Sequence, residues 1–134
     1  VLLIDANILL DVLLARPDFV RESSLVWKLC ETEQAKGYVS ALTFADPVYI
    51  MRKQLSPEKI EDTLQKLSLI FEFADLTSAD LSKAASLHWA DFEGAVQSVT
   101  AERVHANYII TRNVRDFTKS SVVAFTPSEL LARI

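Results

Sequence analysis

Four aspartates occupy positions from which an α/β protein could gather them at one place. Asp5 follows an apolar run, Asp46 lies in a helical pattern, Asp91 begins another, and Asp116 follows the run NYIIT. Hard divalent ions prefer oxygen ligands, and Mg²⁺ takes only one or two carboxylates while keeping waters and phosphate. A bound ion lowers the pKa of its water and stabilises charge developing on phosphate. The four aspartates therefore indicate metal-dependent chemistry on a phosphate.

The first half of the chain alternates strand and helix patterns. VLLID reads as a strand ending at Asp5, and ANILLDVLLA as the helix that follows. A second helix is expected over residues 19–33, closed by Gly37 as a C-terminal cap. The residues expected on its inward face are Val20, Ser24, Trp27 and either Leu25 or Leu29. A short strand over residues 38–40 follows.

Ser40 is placed to cap a third helix, ALTFADPVYIMRKQL. Pro47 falls inside that helix, deletes one of its hydrogen bonds and crowds the preceding turn, so a kink is expected near Asp46. The next helix has a well-formed start, with Ser56 as its cap and Pro57 at its first position. LSLIFEFAD is expected to be a strand ending near Asp75.

The C-terminal half continues the alternation. Thr77 or Ser78 caps a helix to about residue 88, and Asp91 opens another that leads into the strand NYIIT. The apolar stripe of that helix is expected to hold Phe92, Ala95, Val96, Val99 and Val104. TRNVRDF is turn-rich, VVAF is a strand, and Thr126 caps a last helix with Pro127 at its first position.

Strands separated by helices predict an α/β/α sandwich of three layers around a parallel sheet of four to five strands. Such sheets bind ligands beyond the carboxyl ends of their strands, where Asp5 and the residues after Ile110 would lie. The length of 134 residues, half of them hydrophobic, suits one domain over residues 1–134. His88 and His105 lack the paired spacing of a zinc site, and Cys30 reads as a core residue.

Composition limits the classes of partner. The net charge of −4 argues against a broad basic surface for gripping nucleic acid. It is compatible with a nuclease, because carboxylate-bound metal ions present positive charge to the phosphate. No apolar run reaches the roughly 18 residues of a membrane span, and the N-terminus lacks the basic region of a secretory signal. A soluble, cytoplasmic protein is expected.

Three segments together resemble the PIN domain family, and in particular its VapC-type toxins. They are LIDANILLD, VSALTFADPVYIMRK, and DFEGAVQSVTAERVHANYIITRNVRDF followed by TPSELL. The resemblance covers nearly the whole chain and is carried by the order and spacing of the segments. It implies a ribonuclease that uses Mg²⁺ or Mn²⁺. It also implies a small antitoxin protein as partner, which inserts a basic side chain into the acidic site, and a homodimer.

The resemblance assigns the metal-holding acids. Asp5 matches the first catalytic acid, Asp46 the second, which is usually glutamate, and Asp116 the fourth. The third acid falls on Gly94, because DFEGA stands here where the family commonly has DFEDA. Asp91 lies three residues before Gly94 and shares a helix face with it, so Asp91 is a better substitute for the missing acid than Glu93.

Polar neighbours complete the expected site. The resemblance makes Asn7, Thr111 and Asn113 orienting residues that contact metal-bound water or phosphate. Arg112 and Arg115 flank the site and could steer phosphate. Each residue also has a plainer interpretation: Asp5 and Asp91 as helix caps, Asp46 as a solvated residue, Asp116 as part of a turn with Asn113, and the arginines as surface residues. Asp11, Asp75 and Asp80 are assigned to helix ends or exposed faces.

Other functions remain open at this point. Gly94 allows a degenerate PIN domain that binds RNA or a protein without catalysis. VLLIDAN also fits a receiver-like phosphoacceptor domain, but VVAFTPSE has no lysine where that class needs one. A haloacid-dehalogenase-like phosphatase would require a second aspartate where Asn7 stands.

Overall fold

A computed structural model describes residues 1–42, 44 and 56–134 of the chain. Its centre is a five-stranded parallel sheet with the strand order β3-β2-β1-β4-β5. The strands are β1 (Leu2–Ile4), β2 (Gly37–Ser40), β3 (Phe71–Ala74), β4 (Tyr108–Ile110) and β5 (Val123–Phe125). Because all five run in one direction, their carboxyl ends form one edge of the sheet. The predicted α/β class and parallel sheet are confirmed.

The helices follow the strands in the expected order. They are α1 (Ala6–Leu13), α2 (Val20–Glu31), α3 (Pro57–Ile70), α4 (Ser78–Ser86), α5 (Phe92–Arg103) and α6 (Pro127–Leu131), with a 3-10 helix at Val114–Phe117. Within the described residues, no helix is both long enough and apolar enough to cross a membrane. Ala41 and Leu42 are helical. The kink expected at Asp46 and Pro47 lies outside the described residues.

The side chains of β1 divide the core into two layers. Leu2 and Ile4 pack on one face of the sheet, among residues of α1, α2 and α6, whereas Leu3 packs on the other face. This alternation is the period of two expected of a strand. Helix α5 is buried along Gly94–Ala101, between the sheet and α4. The sheet is therefore covered on both faces, as a parallel sheet requires.

Side-chain caps begin three of the helices as predicted. The hydroxyls of Ser56, Thr77 and Thr126 each accept the N–H of the residue three positions later. Each cap satisfies a donor that a helix otherwise leaves free at its first turn. The residues that follow β5 are thus fixed at the edge where the site is expected.

Several local predictions were wrong. In α2, Trp27 and Leu29 pack against the core as expected, but Ser23, Val26 and Cys30 are more deeply buried. Residues 67–70 belong to α3, and β3 begins only at Phe71. Phe92 is 47% exposed, although it was placed on the inward stripe of α5.

Gly37 does not cap α2 but begins β2. The left-handed position after the helix is taken by Glu33, whose φ is 61°. Gly37 is required by crowding instead: a Cβ there would lie 2.8 Å from the Cys30 Sγ, 2.9 Å from the Phe71 Cδ1 and 3.0 Å from the Ile4 Cδ1. Burial raises the pKa of the Cys30 thiol to about 11, consistent with its predicted place in the core.

We predict that Gly37→Ala lowers the free energy of unfolding by about 1–3 kcal/mol, the usual cost of an added methyl in a filled core. Urea denaturation measures it. Cys30→Ala removes the nearest obstructing atom, so the two substitutions should be less damaging together than the sum of their separate effects. Wild-type stability in Gly37→Ala would contradict the crowding.

Candidate active site at the carboxyl edge of the sheet

Asp5 lies where β1 ends and α1 begins, and its carboxylate is held on both sides. Oδ1 accepts the backbone N–H of Asn7 at 3.1 Å, which caps α1. Oδ2 accepts the hydroxyl of Thr111 at 2.9 Å, across 106 residues of sequence. Only 7% of Asp5 is exposed. The carboxylate is therefore fixed between the first strand and the residue after β4.

Thr111 is oriented in turn by its own neighbours. Its hydroxyl oxygen accepts the backbone N–H of Asn113 at 3.1 Å, which leaves the hydroxyl proton for Asp5. Its backbone N–H donates to the carbonyl of Phe125 at 2.9 Å, so β5 holds it in place. Thr111 and Asn113 thus lie where the sequence predicted them, and they support Asp5 through a chain of hydrogen bonds.

Burial raises the pKa of Asp5 above its usual range, because the ionised carboxylate has lost water. The Asn7 N–H, the Thr111 hydroxyl and the charge of Arg112 act against this, whereas the charge of Asp11 adds to it. Removing a carboxylate from water is costly unless the charge is compensated. Asp5 therefore favours a cation or a proton beside it.

Arg112 is bound to a second buried carboxylate, that of Asp11 on α1. The Arg112 Nε lies 3.1 Å from Asp11 Oδ2, although the angle is unsuited to a hydrogen bond. Arg16 and Ser23 donate to the two oxygens of Asp11 at 3.2 and 3.3 Å. The guanidinium of Arg112 also lies over the ring of Phe19, 4.0 Å from its centroid. Arg112 is held from two directions.

The assignment of Asp11 to an exposed face was wrong, since Asp11 is fully buried. Asp80 lies at a helix end, as expected, where it is buried in a capping box with Thr77 and an ion pair with Arg103. A signal for Asp11 was present in the sequence. Helix α1 reads ANILLDVL, with apolar residues on either side of the aspartate, so the charge had to be enclosed and paired.

Asp116 and Asp91 line one cavity of about 210 Å³ together with Trp89, Arg115 and Lys119. Asp116 is exposed on the 3-10 helix and also lines a cavity of about 470 Å³ with Arg112 and Asn113. The basic side chains of Arg112, Arg115 and Lys119 thus line the cavities beside these two acids and suit a polyanion.

Asp91 fills the place that Gly94 leaves open. A Cβ built on Gly94 would lie 3.0 Å from the Asp91 Oδ2 and 3.3 Å from its Cγ. Asp91 precedes α5, yet its side chain does not cap the helix. The carboxylate of residue 91 therefore occupies the space into which a side chain at position 94 would extend.

The sequence-predicted acids are brought together only in part. Asp5 is joined to Thr111, while Asp116 and Asp91 share a separate cavity lining. Over residues 1–42, 44 and 56–134, no three His, Cys, Asp or Glu side chains are close enough to hold a metal ion as a group. Asp46, the expected second acid, lies outside those residues.

The donor chemistry nevertheless suits a hard ion. Among the described residues, one hydrogen bond reaches each oxygen of Asp5, and the acids supply oxygen alone. Mg²⁺ needs only one or two carboxylates, with waters and substrate phosphate completing its six ligands. The chemistry of Asp5 therefore fits a direct ligand.

Comparison with known proteins agrees with this fold. A family model described as PIN domain matches residues 1–115. A toxin-antitoxin complex from Klebsiella pneumoniae is similar at a TM-score of 0.72 and 23% identity, covering 95% of this chain and 98% of that chain. FitAcB from Neisseria gonorrhoeae is similar at 0.63 and 20% identity, covering 96% and 99%.

VapBC2 from Rickettsia felis, bound to a fragment of its promoter DNA, gives a TM-score of 0.65 at 15% identity, covering 93% of this chain and 97% of that chain. At these identities the likeness establishes the fold alone. A search of curated proteins found no match.

We predict that, without a divalent ion, Asp5→Asn becomes more stable relative to wild type as pH rises. Because the pKa of Asp5 is raised in the folded chain, its contribution to stability is fully present below the pKa of the unfolded chain, near 3.8. That contribution is lost as pH rises through the pKa of the folded chain. The variant should therefore gain on wild type from pH 4 upward, by up to about 1.4 kcal/mol per pH unit across that window.

Urea denaturation from pH 3.5 to pH 7.5 measures the effect, with Asp116→Asn as the control because that carboxylate is exposed. A constant difference between Asp5→Asn and wild type over this range would show that the buried charge carries no penalty.

Proposed function

Because this chain belongs to the PIN domain family, we propose that it is a ribonuclease that hydrolyses RNA phosphodiester bonds with carboxylate-bound Mg²⁺ or Mn²⁺. The observation that carries the proposal is the buried carboxylate of Asp5, fixed by Thr111 at the carboxyl edge of the sheet. In parallel sheets this edge is where ligands bind.

Each residue of the site has a proposed role. Asp5 would hold the ion directly, and Asp116 and Asp46 would complete the acidic set that the resemblance names. Thr111 holds Asp5 in one orientation, and Asn113 holds Thr111 by its N–H. Asn7 donates its backbone N–H to Asp5, the residue that caps α1, and its side chain is proposed to contact water or phosphate. When bound, the ion would lower the pKa of water and stabilise charge on the phosphate.

Arg112 is proposed to bind the RNA phosphate. Its guanidinium borders the cavity that Asp116 lines, and guanidinium groups bind phosphate oxygens strongly. The pairing with Asp11 and the stacking on Phe19 fix its position before RNA binds. Binding then costs less side-chain entropy than a free arginine would lose.

Asp91 is proposed to act in place of the third family acid. Its carboxylate already occupies the space beside Gly94, and it shares a cavity lining with Asp116. A carboxylate from the residue before α5 would thus replace one from within the helix.

The similarity to toxin-antitoxin complexes supports a toxin function for this chain, with a small antitoxin as partner. A homodimer and a cytoplasmic location follow from the same proposal. The alternative is a PIN domain that binds RNA or protein without catalysis, favoured by Gly94 and by the absence of a three-residue metal group among the described side chains.

The function is tested by cleavage of a mixed RNA pool in Mn²⁺. Wild type should cleave, and Asp5→Asn should lose at least a hundredfold in rate because the direct ligand is gone. Asp75→Asn removes an exposed aspartate outside the site and should cleave as wild type does. Equal cleavage by wild type and Asp5→Asn would reveal contamination, and cleavage by neither would favour the binding module.

The role of Asp91 is tested by moving its carboxylate. Asp91→Asn should lower Mn²⁺ affinity and cleavage about tenfold or more. Combining it with Gly94→Asp should restore much of both, because a carboxylate then extends from the neighbouring position on the same face. The new Cβ displaces only the flexible end of residue 91. Unchanged activity in Asp91→Asn would contradict the substitution.

A further inference from the structure

A second cavity adjoins the proposed site and is used by none of the roles above. It has a volume of about 340 Å³ and lies between the start of α2, the residue after Thr111 and the start of α6. Its lining includes Phe19, Pro127, Arg112, Asp18, Glu22 and Ser128. A volume near 300 Å³ is the lower end of the range for small-molecule sites.

Arg112 connects the two places. It forms part of the wall of this cavity and part of the wall of the cavity that Asp116 lines. Its ion pair with Asp11 and its contact with the ring of Phe19 fix the guanidinium at that boundary. A group in the 340 Å³ cavity would therefore lie beside whatever Arg112 binds on the other side.

The residues that line the 340 Å³ cavity disfavour a phosphate and favour a flat ring. Phe19 and Pro127 supply apolar ring surfaces, and Phe19 is 38% exposed. Asp18 and Glu22 line the cavity as well, and no ion pair within the described part of the chain occupies either. Carboxylates repel phosphate but accept hydrogen bonds from the amino groups of bases, and aromatic side chains stack on bases.

We propose that this cavity is a nucleobase subsite, and that it binds an amino-bearing base, guanine above all, next to the phosphate held by Arg112. The inference rests on the proposed function, which it deepens by naming a base preference. Guanine offers adjacent ring and amino N–H groups, which one carboxylate accepts as a pair. Uracil lacks an amino group and would bind more weakly.

Binding of ribonucleoside 5′-monophosphates, followed by NMR titration of the whole chain without cleavage, tests the subsite. Guanosine monophosphate should bind wild type at least tenfold more tightly than uridine monophosphate or inorganic phosphate. Ser128→Trp places a large ring at the exposed rim of the cavity. It should weaken the binding of guanosine monophosphate tenfold and leave the binding of inorganic phosphate unchanged. Ala132→Trp, exposed beyond α6 and outside the lining, is the matched control and should change neither.

Asp18→Asn with Glu22→Gln gives a second readout. These substitutions should abolish the preference for guanosine over inosine monophosphate, which lacks the amino group. Equal affinity of wild type for the guanine nucleotide, the uracil nucleotide and phosphate would overturn the subsite, as would full binding by Ser128→Trp. Binding of N-acetyl-argininamide that Ser128→Trp blocks, without nucleotide binding, would instead assign the cavity to a basic side chain of a protein partner.

Failure of the subsite and failure of the proposed function are distinguishable. Because these titrations require no cleavage, base-selective binding can hold in a chain that does not cut RNA. Conversely, Mn²⁺-dependent cleavage without base-selective binding would overturn the subsite alone.

Discussion

The hydrogen bond between the Thr111 hydroxyl and the Asp5 carboxylate joins the central strand β1 to its neighbour β4 at their carboxyl ends. Asp5 begins α1, and Thr111 begins the segment that carries Asn113, Arg112 and Asp116. The contact therefore sets the position of one acid relative to the segment that holds another. Burial disfavours the ionised form of this carboxylate, so the site favours a proton or a cation beside it.

A second buried carboxylate, that of Asp11, holds the segment after β4 through its ion pair with Arg112. Asp11 lies two turns further along α1 and is paired with Arg112 and Arg16. Removing one member of such a group leaves an uncompensated buried charge, which is far more costly than losing a surface ion pair. Helix α1 is thus tied to the residues after β4 at both ends. These contacts fix the position of Arg112. Because Arg112 lines both the 340 Å³ and the 470 Å³ cavity, they also fix the boundary between the two.

Much of the architecture could be predicted because local rules and the fold agree. Alternating strand and helix patterns require a parallel sheet, and the caps at Ser56, Thr77 and Thr126 have short-range causes. The place of Asp5 was predictable because a residue between a strand and the next helix lies at the edge where parallel sheets bind ligands.

What could not be predicted depends on packing between distant segments. Gly37 is explained only by the three side chains that crowd it, and two of them come from other strands. That Asp91 turns into the space beside Gly94, instead of capping α5, is a matter of side-chain direction that spacing alone leaves open. The burial of Asp11 was readable in principle, but its arginine at position 112 lies a hundred residues away in the sequence.

The proposed function requires that the enclosed carboxylate of Asp5 is a ligand for a divalent ion. The most direct measurement is a crystal structure of the chain soaked in Mn²⁺ near pH 7.5, with anomalous scattering to locate the metal. We expect a manganese ion about 2.1 Å from an oxygen of Asp5, the distance that six-coordinate hard ions take. A saturating soak that leaves no anomalous peak within about 4 Å of that carboxylate would contradict it.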